Sequence, residues 1–449
     1  MKKFFYSFLM GALALSIASC KDDKAKDPDG PDDPNGEMTQ LSPTKSKEFL
    51  VETANDFLSK FNAGDQQQLI KLCAFFEDRY GYLDMPKEFV VDEEITETNP
   101  LRLVKAFAAT AAHGNATKAG AASIIYTYTL DFEKFKGVYT PAGSRWVKAQ
   151  ESNDIIFRFD DATGTECELK ATISSKNSDG SISWTDEYYD YYYDEEITEE
   201  YVYKFRIPQE INITLSQGSS VLANSKVTSS IDTRNHKINV VANVTAANIT
   251  AAVKLDGTDT QVTQTSTLTV SGEELVATNA TLNGNNLCNF DFYKDNMDED
   301  AQDLLPQLLS SGNATVSVMK KVRIDATGKY TNALYEALNN EYDSWEYSSQ
   351  SAAERAVTNA IATLNNQITA EVRYNNTNTV QARLIWDYDL DEWGNYFEYY
   401  IQPLILFSAD DTRYTFDEYF SKGFSTVEDT WADLQESYEK VWEAAKKGR

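Results

Sequence analysis

The hydrophobic pattern of this chain changes period along its length. Between residues 44 and 112 the spacing is helical. Phe49, Thr53, Phe57 and Phe61 follow at four-residue intervals, with Leu50, Ala54 and Leu58 beside them, which places them on one helix face. Asn62-Ala63-Gly64 supplies a stop. A second helical pattern runs through Leu69, Leu72, Cys73 and Phe76. A third is predicted from Pro100 to Ala112, with Pro100 suited to a first turn and Gly114 to a C-cap.

Near residue 121 the period falls to two, and the run from Ser123 to Leu130 opens a long β region. Turn signals recur at Ala162-Thr163-Gly164, Ser178-Asp179-Gly180, Gln217-Gly218, Arg234-Asn235, Asp256-Gly257, Ser271-Gly272 and Asn283-Gly284. In 260–270, Val262, Leu268 and Val270 share one parity, and Thr263, Thr265, Thr267 and Thr269 the other. Such alternation buries one face and solvates the other. Strands joined by successive hairpins make a meander. The apolar positions are small, so the sheet is free to curve and needs helices to complete its core.

After residue 300 the patterns mix. Leu304, Leu305, Leu308 and Leu309 form a helical stripe. A strand is predicted over 314–325, helices over 329–341 and 351–366, and hairpins over 368–407. An amphipathic helix is predicted over 415–447, carrying Phe416, Tyr419, Phe420, Val427, Trp431, Leu434, Tyr438 and Trp442. The expected class is therefore α+β. A helical segment (38–115) precedes a large antiparallel meander (116–300), and a mixed segment (301–449) packs on that sheet.

Charge narrows the partners. Formal net charge is −29, which repels nucleic acid and anionic membrane surfaces, so a nucleic-acid role is not expected. Apart from Cys20, the cysteines are Cys73, Cys167 and Cys288, an odd number with no CxxC spacing, which excludes a fully bridged framework and a zinc signature and leaves one pair with a free thiol, or three free thiols.

The first residues carry an address. Met1, Lys2 and Lys3 precede an apolar run from Phe4 to Ala18, too short for a comfortable bilayer span of roughly 20 residues. With small residues at its end, the run reads as a secretory signal over 1–19. Ile17-Ala18-Ser19-Cys20 resembles the lipobox of bacterial lipoproteins, which implies a lipidated Cys20. Lys21, Asp22 and Asp23 resemble the acidic export signal of Bacteroidota surface lipoproteins, which implies display at the cell surface. Residues 20–37 then form a tether. After Cys20 it holds seven acids, three lysines and Pro28, Pro31 and Pro34, a composition that cannot bury enough apolar surface to fold.

Candidate chemistry is sparse. Tyr188, Tyr189, Tyr191, Tyr192 and Tyr193 lie in an acidic tract over 186–203. Aromatic faces beside carboxylates suit sugar rings. The alternation of Tyr201, Tyr203, Phe205 and Ile207 suits strand packing instead. Asp387, Asp389 and Asp391, with Glu398 beyond, have the spacing of a calcium loop, but Glu392 stands where the loop needs glycine. Clean alternation with Leu384, Trp386, Tyr388 and Leu390 reads as a charged outer strand face. Asp295, Asp298 and Asp300 form another acidic group. His113 and His236 have no motif around them, and no GxSxG, HExxH, P-loop or GxGxxG occurs. No catalytic residue, metal or cofactor is expected. The leading expectation is a non-catalytic outer-membrane surface lipoprotein binding polysaccharide or a partner protein. Alternatives are an envelope carrier or assembly factor with a half-barrel like that of LolA, and a glycan hydrolase with two facing carboxylates.

Overall fold

The computed structural model describes residues 38–89, 92–97, 122–174, 176–190, 195–295, 301–394 and 396–447. Helices α1 (Pro43–Ser59) and α2 (Gln67–Tyr80) come first. The Ser42 side chain caps α1 by accepting from the Lys45 amide, and Pro43 fills the first turn. The third predicted helix, Pro100 to Ala112, lies outside the described residues. Within the segment expected to be helical, Asp92–Glu97 is instead a strand, β1. It pairs antiparallel with β2 (Ala122–Asp131), so a long-range partner decides its conformation.

The next strands are β3 (Gly137–Ala142), β4 (Arg145–Gln150), β5 (Ile155–Asp160), β6 (Glu166–Ile173), β7 (Asn177–Asp190) and β8 (Glu195–Pro208). They continue as β9 (Glu210–Gln217), β10 (Ser220–Asp232), β11 (Lys237–Ala246), β12 (Ile249–Gly257), β13 (Gln261–Val270) and β14 (Glu273–Gly284). Short helices α3 (Phe290–Asp295) and α4 (Ala301–Leu308) precede β15 (Leu309–Val318) and β16 (Val322–Lys329). Helices α5 (Asn332–Asn339) and α6 (Gln350–Gln367) lead to β17 (Ile368–Tyr374), β18 (Val380–Trp393), β19 (Tyr396–Phe407) and β20 (Arg413–Thr415). Helices α7 (Phe416–Phe420) and α8 (Ser425–Lys447) close the order.

The fold is α+β, but the strands form two sheets. One has sixteen strands in the order β20 back to β9, then β6-β5-β3-β4; the other has four, β1-β2-β8-β7. From β9 to β20 every neighbour in sequence is an antiparallel neighbour in space. The meander is thus real but starts later than expected, because β2–β8 and β3–β5 are parallel pairs.

Other local expectations need correction. Ser178-Asp179-Gly180 is not a turn: it lies within β7, opposite Phe205, Arg206 and Ile207. The single strand predicted at 314–325 is a hairpin, β15–β16. Its turn residues Met319 and Lys320 take left-handed φ of 52° and 55°, the tight-turn conformation that Gly or Asn usually signals. Leu309 starts β15 rather than extending the α4 stripe. The C-terminal helix breaks into α7 and α8 around Gly423 at φ +89°.

Residues paired across strands share a face, so register defines two faces of the long sheet. One carries Ile213, Val227, Ala242, Val253, Ser266, Thr278, Val316, Ile324, Val372 and Ala382; the other is mostly Thr, Asn and charged residues. Helices cover the apolar face. Phe57, Leu58 and Phe61 of the α1 region pack with Ile249, Leu268, Val270 and Val276, and α8 adds Val427, Trp431 and Leu434. Further along, α5 and α6 place Leu334, Ala353, Val357, Ala360 and Leu364 against Trp386, Tyr388, Leu390, Tyr399 and Ile401.

The N-terminal helices run along one rim of the long sheet, touching successive turns. The Leu41 amide donates to Gln381 Oε1 at 2.7 Å. Lys321 reaches Asp56 at 2.8 Å, and Lys60 reaches Glu273 at 3.0 Å. Gln66 donates to Asn248, Gln68 to Gln217 at 2.9 Å, and Tyr80 to the Asp160 carbonyl at 3.0 Å.

Candidate ligand-binding face

The residues predicted to carry function scatter. Cys20, Lys21, Asp22 and Asp23 lie outside the described residues, as do Tyr191, Tyr192, Tyr193, His113, Asp298 and Asp300. Tyr188 and Tyr189 occupy consecutive positions of β7, paired with Ile197 and Glu196. Asp295 ends α3.

The later part of the tyrosine tract packs within its own sheet. Tyr201 stacks on Tyr126 with ring centroids 5.0 Å apart, and Tyr203 on Tyr128 at 4.7 Å. Glu199 accepts from the hydroxyls of Tyr201 at 2.7 Å and Tyr126 at 3.3 Å. These tyrosines turn ring faces toward each other across β2 and β8, in line with the alternation read from Tyr201 to Ile207.

His236 lies in the β10–β11 turn, with Nδ1 2.6 Å from Asp259 in the β12–β13 turn. It ties two hairpin ends together. Cys73, Cys167 and Cys288 are all free thiols. Burial pushes Cys73 and Cys167 up to about 11, which leaves little thiolate for nucleophilic chemistry.

Among the described residues, exposed aromatic side chains also lie on the β18–β19 hairpin. Asp387, Asp389 and Asp391 alternate along β18, as the charged outer face predicts. Extended backbone spaces them too widely for a calcium loop, since alternate strand residues are roughly 6.5 Å apart. Among the described residues no cluster of three or more metal-ligating side chains forms. Leu384, Trp386, Tyr388 and Leu390 take the opposite face, where α6 packs on the last three.

Register brings the outer residues into pairs: Trp393 with Tyr396, Asp391 with Glu398, Asp389 with Tyr400 and Asp387 with Gln402. The turn between the strands uses Gly394 at φ +69°. Trp393 and Tyr396 rings lie 4.8 Å apart, with Trp393 61 % exposed and Tyr400 43 %. The Tyr396 hydroxyl donates to Glu398 at 2.9 Å. That bond, with the negative charge around it, pushes the Tyr396 phenol up to about 12.

A further exposed aromatic lies on the α5–α6 connection, whose backbone pairs with β19. Asp343 bridges Glu398 through the backbone, and the Ser344 amide donates to the Phe397 carbonyl at 3.0 Å. The buried Asp343 carboxylate accepts from the amides of Trp345 and Glu346 at 2.9 and 3.0 Å. This fixes the turn and leaves Trp345 82 % exposed. Period alone singles out neither residue: Trp393 falls inside the predicted 368–407 hairpins and Trp345 between the helices predicted at 329–341 and 351–366. The available signal was tryptophan at both a hairpin turn and a polar loop, beside strands rich in Asp and Tyr.

A second open surface is apolar. Where β11 and β12 pair, Val244 and Val253 of the apolar sheet face are 40 % and 43 % exposed. A groove of about 180 Å³ between α4 and α5 is lined by Leu305, Pro306, Leu334 and Leu338.

Comparison with known proteins adds little. No family model matches the chain, and no curated protein matches it. A crystal structure of a porin-like protein from Bacteroides vulgatus is similar over 51 % of this chain and 81 % of that one. Identity there is 9 % and the TM-score 0.17, too low to carry an argument about fold or function.

Proposed function

We propose that this chain is a non-catalytic outer-membrane lipoprotein, anchored through Cys20 and displayed at the cell surface, that captures polysaccharide on the outer face of β18–β19. The observation that carries this reading is the exposed set Trp345, Trp393 and Tyr400, with the half-buried Tyr396 and the carboxylates of Asp389, Asp391 and Glu398 among them. Indole and phenol faces stack on the apolar faces of sugar rings, and carboxylates accept from sugar hydroxyls. Exposed apolar surface rimmed by polar residues marks interaction sites. The carboxylates sit on an open strand face, where they hold a ligand without the enclosing walls that hydrolysis requires.

The test is affinity of the intact chain for a panel of soluble polysaccharides, read by isothermal calorimetry and tryptophan fluorescence. Trp345→Ala and Trp393→Ala are each expected to weaken a binding glycan about tenfold, the ~1.4 kcal/mol scale of an aromatic anchor. Binding unchanged in the double variant refutes the assignment. A carrier of acyl chains is the second reading, favoured by the half-exposed Val244 and Val253. It expects a fluorescent fatty acid to bind the chain and Val253→Asp to abolish that binding.

A further inference from the structure

We infer that the β18–β19 face selects saccharides bearing ammonium groups, that is, amino sugars whose nitrogen is not acylated. This rests on the polysaccharide reading and goes further by naming the ligand class.

The argument is charge balance along one sheet face. Along β16, β17 and the first half of β18, the carboxylates of the polar face have guanidinium partners. Asp325 pairs with Arg323 at 3.0 Å and also with Arg373. Glu371 pairs with Arg383 at 3.2 Å and also with Arg373. Asp387 takes Arg413 at 3.1 Å. Beyond Asp387 the pattern stops. Among the described residues no cation pairs with Asp389, Asp391 or Glu398.

Two of these acids face each other directly, since Asp391 is the register partner of Glu398. Like charges opposite one another destabilise a strand pair. The sheet carries that cost beside Trp393 and Tyr396, where a ligand would sit. A bound ammonium relieves it by donating charge-assisted hydrogen bonds to both carboxylates. The same ammonium gains from a neighbouring indole or phenol face. A neutral glucan gains only stacking and hydroxyl bonds, and an acidic glycan is repelled.

The experiment titrates the intact chain in detergent with three probes: a β-1,4-linked glucosamine hexamer, its fully N-acetylated counterpart and an oligolysine of equal charge. The glucosamine hexamer is expected to bind at least tenfold more tightly than the acetylated one. The preference should shrink as salt rises and as pH rises through the ammonium's own titration. Asp391→Asn with Glu398→Gln should erase that preference, bringing the two hexamers to equal affinity, while leaving the chain no less stable to urea. Equal affinity for both hexamers overturns the inference and leaves the polysaccharide reading standing. No binding of either hexamer, with none to the wider polysaccharide panel, overturns both. Oligolysine binding more tightly than the glucosamine hexamer also overturns it, because a basic peptide would then be the better ligand.

Discussion

Tyr438→Phe tests how the C-terminal helix is joined to the rest of the fold. The Tyr438 hydroxyl of α8 donates to Gln66 Oε1. Gln66, only 2 % exposed, donates in turn to Asn248 in the β11–β12 turn, and Asn248 donates to Ser271 Oγ at 3.0 Å. Burial pushes the Tyr438 phenol well above its usual value, so it remains a donor across the accessible pH range. Removing the hydroxyl leaves a buried amide oxygen short of a donor, which costs about 1–3 kcal/mol. In a thermal melt such a loss is small. At ~2.1 cal/mol/K per residue over roughly 400 residues, ~2 kcal/mol moves Tm only about 2 °C. Urea unfolding followed by tryptophan emission is the better assay, because Trp442 lies one turn further along the same helix. The expectation is a lower midpoint at unchanged slope. In a double-mutant cycle with Gln66→Leu, the combined loss should be smaller than the sum. A Tyr438→Phe protein within ~0.3 kcal/mol of wild type would refute the reasoning, since the hydroxyl would then be replaceable by water.

Three further expectations follow from other parts of the fold. Asp56 is held below its usual carboxylate value, chiefly by the hydrogen bond from Lys321, with burial opposing and Lys60 adding. A folded-state pKa below the unfolded one gives stability that is present above about pH 4 and lost as pH falls through the folded value. Asp56→Asn should therefore lose less stability than wild type on acidification, and parallel acid titrations would contradict this. A Cβ on Gly284 would lie 1.7 Å from the Leu308 carbonyl oxygen, so Gly284→Ala must move backbone at the α4–β15 junction. It should cost about 1–3 kcal/mol or more, read by urea midpoint. Finally, Cys73, Cys167 and Cys288 should react slowly with a thiol reagent at pH 8 in the native state and all react in urea. Fewer than three reactive thiols in urea would reveal a disulfide.

The elements with strong period were legible. Phe49 to Phe61 became α1, the alternation at 260–270 became β13, and the polar face of Asp387, Asp389 and Asp391 is an outer strand face. What failed depended on distant partners. The strand Asp92–Glu97 exists because β2 lies beside it, and Ser178 to Gly180 stays extended because β8 does. Local residue preference carries no information about either. The turn at Met319 and Lys320 hid because its residues pay for left-handed backbone without glycine or asparagine. The candidate face was invisible for a similar reason. Trp345 and Trp393 are 48 positions apart in the chain, and the segment carrying Trp345 reaches β19 only through the Asp343–Glu398 bridge.

The rim helices also bear on how this chain reaches its fold. Leu41 bonds Gln381, Pro43 receives Tyr419, and Gln66 receives Tyr438, across 340, 376 and 372 positions. Helices made first therefore wait for strands and a helix made last. Such high contact order slows folding, and in the interval α1 and α2 carry apolar faces with nothing to cover them. A chain built this way is expected to need a holding partner during synthesis, and truncation before Ser425 should yield aggregates rather than a smaller folded body.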